Sequence, residues 1–165
     1  MPEQYLTHIQ NNHQIVLNKI TELSKLHQQP YLPKLLPVSK KHSITSITEL
    51  YDIGVRDFAE NYLQEALGKI QALPKDIQWH YIGAIQSNKA KAIAENFHWI
   101  HTVSSLKVVE KLSQYRPDTL GPLNICLQIN IDQEPQKSGL NPNNDETLNH
   151  IITKTLALDN LTLKG

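Results

Sequence analysis

The 165 residues fit one domain with a sizeable core, and 39% hydrophobic with 19% charged content is the balance of a soluble globular protein. Lysine plus arginine and aspartate plus glutamate both number 16, so the formal net charge is zero; no basic field exists to attract nucleic acid, and only Arg56 and Arg116 could offer bidentate phosphate forks. A single cysteine, Cys126, forbids an internal disulfide, and neither a secretory leader nor a membrane-length apolar run is present, so the expectation is a cytoplasmic protein with no nucleic-acid or membrane partner.

Gln4 to about Gln28 reads as an amphipathic helix on Ile9, Val16, Ile20 and Leu23, stopped by Pro30 and Pro33. A strand–helix rhythm follows. Leu35–Ser39 is a short apolar run, and Ser43–Ile53 is a helix with Ser43 as N-cap and Gly54 at its end. Asp57–Glu60 reads as a strand and Tyr62–Leu73 as a helix closed by Pro74. Gln78–Ile82 alternates as a strand and leads to a helix from Ser87 to Asn96, with Ser87 as its cap. Trp99–Val103 precedes a helix over Ser104–Tyr115, ended by Pro117. Leu123–Ile131 is the clearest strand, Asp145–Leu158 the next helix, and Leu161–Leu163 one more strand.

Strand then helix, repeated at close spacing, implies βαβ units and a parallel sheet. A doubly wound sheet would carry a glycine-rich phosphate turn after its first strand, but Val38-Ser39-Lys40-Lys41-His42 has no glycine there. The pattern therefore favours a (β/α)8 TIM-type barrel, residues 1–165 forming a single domain. A complete barrel takes about 250 residues; five strand–helix units and the start of a sixth strand predict an incomplete one, with open edges that favour self-association.

In a barrel, reactive groups gather at the C-terminal ends of the strands. Lys40 ends the first strand, and if Leu36, Val38 and Lys40 share a face, the amine enters the barrel mouth, partly desolvated and free to attack an aldehyde. Position alone favours the other reading, a solvated lysine opening a loop beside Lys41. Asn61, after the second strand, is either a mouth amide or the N-cap of the next helix. Glu60 and Glu65 could pair as acid and base, although Glu65 reads as a first-turn surface acid. His80 reads as a structural histidine with one hydrogen bond. His98 and His101 lack a carboxylate or thiol to complete a metal set. On the fifth strand Leu123, Ile125, Leu127, Ile129 and Ile131 should pack under helices, leaving Gln128 and Asn130 to line the mouth and Cys126 as an inert buried thiol.

Three runs carry a resemblance: Leu36-Pro37-Val38-Ser39-Lys40; Phe58-Ala59-Glu60-Asn61-Tyr62-Leu63-Gln64-Glu65; and Trp79-His80-Tyr81-Ile82-Gly83-Ala84-Ile85-Gln86-Ser87-Asn88-Lys89. With His101-Thr102-Val103, Asn124–Ile131 and Lys137-Ser138-Gly139, they resemble in order and spacing the pyridoxal-phosphate homeostasis family, related in fold to the N-terminal barrel of alanine racemase. The resemblance implies pyridoxal 5'-phosphate as cofactor, Lys40 as its Schiff-base lysine, Asn61 beside it and Lys137 as a secondary contact. It implies a cofactor carrier or buffer rather than an enzyme, with PLP-dependent apoenzymes as possible recipients. Alanine stands at 59 and 84, where the family has glycine and proline, and the family's C-terminal phosphate loops have no counterpart here. A racemase-like enzyme is the competing expectation; it needs a second acid–base group, for which Tyr62 and Tyr81 are the candidates. An inactive, truncated fragment is the third.

Overall fold

Alternating apolar strands and amphipathic helices set the architecture of the structure, a computed structural model describing residues 7–165. The first helix, α1 (His8–Leu26), opens on a capping box in which Thr7 accepts from the Gln10 backbone and Gln10 reaches back to the Thr7 backbone. The expected start at Gln4 lies outside the described residues. Then follow α2 (Ile44–Asp52), β1 (Asp57–Glu60), α3 (Leu63–Ala72), β2 (Gln78–Tyr81), α4 (Ala90–Asn96) and β3 (Trp99–Val103). The chain continues through α5 (Leu106–Tyr115), a 3-10 turn at Asp118–Leu120, β4 (Leu123–Leu127), α6 (Asp145–Leu156) and β5 (Leu161–Leu163).

All five strands are parallel and lie in the order β1-β2-β3-β4-β5. Every crossover thus steps one place in the same direction. A doubly wound sheet reverses direction at a switch point; this one advances as the wall of a barrel does. Phe58, Trp79, Tyr81, Ile100 and Ile125 point under the helices and are almost wholly buried, with Ile47, Ala66, Ile93, Val109 and Leu112 packed in the same core. The strand register places Val38, Ala59, His80, Trp99, Asn124 and Thr162 side by side in one row. That row belongs to the other face, the one lining a barrel's interior.

Two expected strands are shorter in the structure. Leu35–Ser39 makes one bridge, Val38 to Ala59, through Ser39 N–H to Ala59 O (2.9 Å) and Ala59 N–H to Pro37 O (2.8 Å). Pro33 and Pro37 have no N–H to offer, so the ladder does not lengthen. Leu123–Ile131 ends as a strand at Leu127, because Gln128 and Asn130 turn to pair with Leu140 of the following loop. Leu123 and Ile125 are buried as expected, whereas Ile129 and Ile131 are 38% and 75% exposed and pack under no helix.

Capping corrects two further expectations. Ser43 accepts from Ser46 N–H and caps α2, and Ser105 caps α5. Ser87 caps nothing: α4 starts at Ala90, after a turn in which Lys89 N–H donates to Gln86 O. Asn61 is not a cap either. Tyr62 holds that position of α3, without a side-chain bond to the helix.

Candidate functional site

The Val38–Ala59 bridge sets Lys40 and Asn61 each two residues beyond a paired position, at the C-terminal ends of neighbouring extended segments. Lys40 stands on a turn and is exposed rather than partly desolvated, since Leu36 is half-buried and Val38 is open to solvent. The residues around it are held tightly. Ser39 Oγ donates to Glu60 Oε1 (2.7 Å), and Glu60 is fully buried. Lys69 Nζ donates to Ser39 O, Glu60 Oε1 and Glu65 Oε1, each at 2.6 Å, which uses all three protons of the ammonium. Glu65 Oε1 also accepts from Lys41 N–H at 2.6 Å. The hydrogen bond from Lys69 holds the Glu65 carboxyl below the usual carboxylate range.

Glu60 and Glu65 are therefore two anchors of one buried cation, not an acid–base pair. Lys69 escaped the sequence reading. Its signal was there: Leu63, Ala66 and Lys69 recur at spacing three along the buried row of α3, and Glu65 precedes Lys69 by four. A lysine on the apolar row of a helix asks for a buried partner.

Asn61 has a different environment. Its Oδ1 is buried and has no hydrogen-bond partner, a state that costs about 1–3 kcal/mol. The wall beside it is close-fitting: a Cβ at Gly83 would lie 2.3 Å from the Asn61 carbonyl oxygen. Only glycine allows that approach. Thr102 Oγ1 fixes the same loop by donating to Gly83 O at 2.6 Å.

Below the strand ends on this face runs a polar chain. Lys34 pairs with Asp57 Oδ2 (2.6 Å), Asp57 Oδ1 meets His80 Nε2 (3.1 Å), and His80 Nδ1 meets His101 Nε2 (2.9 Å). The rings of His80, Trp99 and His101 stack. His80 so has two ring partners where one was expected. Burial pushes it down to about 4, against the hydrogen bond it donates to Asp57, so it is neutral near pH 7. Burial lowers His98 and His101 as well. His98 Nδ1 accepts from Trp79 N–H, which commits that nitrogen to a hydrogen bond. Among the described residues no group of three or more His, Cys, Asp or Glu is placed to hold a metal ion. Cys126 is half-buried rather than deep, and burial raises its thiol.

Across the mouth, Gln128 Nε2 donates to Ser138 O, and Asn130 both donates to Glu134 O and accepts from Glu134 N–H. Their polar partners thus lie in the loop that follows β4. Gly139, at φ +142°, lets that loop close on Asn130, where a Cβ would sit 2.6 Å from its backbone nitrogen. A cleft of about 430 Å³ lies here between Ala84, Thr102, Asn130, Lys137 and Ser138. Lys137 pairs with Glu134 and is exposed. Neither Lys40 nor Asn61 lines this cleft, so Lys40 and Asn61 stand together and Lys137 stands apart. Both arginines are committed elsewhere: Arg56 to Asp76 and the Tyr51 and Val55 carbonyls, Arg116 to four carbonyls around Phe97 and Leu120.

A parallel βα wall with a lysine held at the C-terminal end of its first extended segment defines a class of barrel domain. Residues 3–165 match the alanine racemase N-terminal domain, and the chain belongs to that family. Among curated relatives, the pyridoxal phosphate homeostasis protein of Pseudomonas aeruginosa is 46% identical over 139 residues, covering 84% of this chain and 59% of its own. The protein of the same name from Vibrio alginolyticus is 36% identical and covers 97% of this chain and 70% of its own. The chain thus spans 59% to 70% of the length of these two relatives. Among solved structures, PipY of Synechococcus elongatus without PLP superposes with a TM-score of 0.73 at 35% identity, over 88% of this chain and 68% of that one. PipY with PLP bound gives 0.69 at 33%, over the same shares. An alanine racemase of Clostridium difficile shares the fold at 17% identity, with a TM-score of 0.69 over 94% of this chain and 39% of its own.

Proposed function

We propose that this chain binds pyridoxal 5'-phosphate covalently through Lys40, with Asn61 beside the ring, and serves as a cofactor carrier or buffer in the cytoplasm. The observation that carries this reading is the juxtaposition of an exposed lysine on a clamped turn with a buried, unpartnered amide oxygen on the adjacent strand end. PipY, similar over most of this chain, has a structure with PLP bound. When bound, pyridoxal phosphate would supply an aldehyde, with which a lysine amine would condense with loss of water. The residues present fit such a group. Lys40 offers the amine, and Asn61 Oδ1 offers an acceptor to a ring hydroxyl or to the linking nitrogen. The single half-buried thiol suits a reducing compartment.

Carrier rather than enzyme is favoured by the state of Tyr81. Racemisation needs a second acid–base group. Tyr81 is buried in the helix-side core, its hydroxyl donates to Ala84 O, and burial raises it further from neutrality. Tyr62 is 47% exposed at the start of α3. Release of cofactor to a PLP-dependent apoenzyme is the matching activity. The test is incubation of the loaded chain with an apoenzyme, and separately with L- and D-alanine. Recovery of apoenzyme activity with no change of enantiomer ratio is expected; racemisation that depends on Lys40 would overturn the carrier reading.

A further inference from the structure

We infer that Glu60, Glu65 and Lys69 act as a positioning device that makes Lys40, rather than its neighbour Lys41, the reacting amine. The inference rests on the reading of Lys40 as the attachment point. Two exposed lysines follow one another on the same turn. They carry the same chemistry, so selection between them must come from where the backbone holds each one.

The bonds divide them. Ser39 is fixed through its N–H to Ala59 O, its hydroxyl to Glu60 and its carbonyl, which accepts from Lys69 and from His42 N–H. Lys41 is fixed through its N–H to Glu65 and adopts φ +62°, a left-handed conformation that is unfavourable for a residue with a Cβ. Lys40 lies between these anchors and itself makes no hydrogen bond among the described residues. Its Cα is set by both neighbours while its side chain stays free. The strand pairing alone would not do this, because a single bridge joins this segment to β1.

The composition of the cluster supports the same reading. Burying the Glu60 carboxylate and the Lys69 ammonium costs desolvation that well-packed apolar residues avoid, so stability alone is a weak reason for the cluster. The cluster reaches the turn from β1 through Glu60 and from α3 through Glu65 and Lys69, and so references Lys40 to the unit that carries Asn61.

The test compares the wild-type chain with Lys69→Met and with the double variant Glu60→Gln/Lys69→Met, which removes both buried charges and keeps the fold if the single variant does not. Each folded protein is mixed with pyridoxal 5'-phosphate, reduced with borohydride and mapped by peptide mass spectrometry. Amide exchange at Lys41 and His42 is read without cofactor. Wild type should favour Lys40 over Lys41 by about tenfold or more, in line with the cost of small misplacements at a reacting centre. The variants should bring the two labels to near parity and speed exchange at both amides. A folded variant that keeps the wild-type ratio overturns the inference. Rapid exchange at Lys41 in the wild type also overturns it and leaves the Lys40 reading intact. A wild type that labels Lys40 no more than Lys41 overturns the functional reading and the inference with it.

Discussion

Two lysine-bearing loops follow the C-terminal ends of extended segments, and they are built in opposite ways. The Ser39–Lys41 turn is tied to a fully buried glutamate and to a lysine that gives one proton to the Ser39 carbonyl and the other two to Glu60 and Glu65. The loop from Asn130 to Gly139 is tied by exposed or half-buried side chains to its own backbone, and the Lys137 ammonium pairs with Glu134. One loop is referenced to the core, the other to itself. A group that must react at one place needs the first arrangement, whereas a group that only attracts an anion is served by the second.

Breaking the first arrangement should have the largest effect. Lys69→Met leaves Glu60 buried without its cation and should cost about 3–5 kcal/mol, read as a lower urea midpoint. Ser39→Ala removes one bond to that carboxylate and should cost about 1–3 kcal/mol in the same assay. Acid then sharpens the comparison from beneath. His80 sits at about 4 in the folded chain and near its ordinary 6.5 when unfolded. Between those values the unfolded state binds the proton and the folded state does not, so stability falls as pH drops from about 6.5 to 4. Urea midpoints taken across this window should decline, and His80→Gln should flatten the decline. The smallest effect belongs to the second loop: Lys137→Ala should shift stability by no more than about 0.5 kcal/mol.

Much of this was legible in the sequence. The β1, β3 and β5 bounds read correctly because these short segments, each with two or three apolar residues, lie next to Gly54 and Asn61, Asn96, and Asn160 respectively. The parallel sheet followed from the strand–helix rhythm. The over-long fifth strand was a fault of local reasoning: alternation continues to Ile131, but no helix covers that end. Asn61 was legible as a position and illegible as a role, since an amide before a helix reads as a cap until its backbone and that of Gly83 are seen to touch. The Glu60–Lys69 cluster was harder still. Its members lie up to 30 residues apart, and only the fold brings Ser39 to Lys69.

The central claim is chemical and local: Lys40 is the amine that takes the cofactor. Mixing the chain with pyridoxal 5'-phosphate should give visible absorbance that borohydride abolishes, leaving the reduced adduct on the peptide that contains Lys40. Lys40→Ala should abolish that absorbance and that adduct. Equal labelling of Lys40, Lys41 and Lys137, or an adduct undiminished in Lys40→Ala, would contradict it.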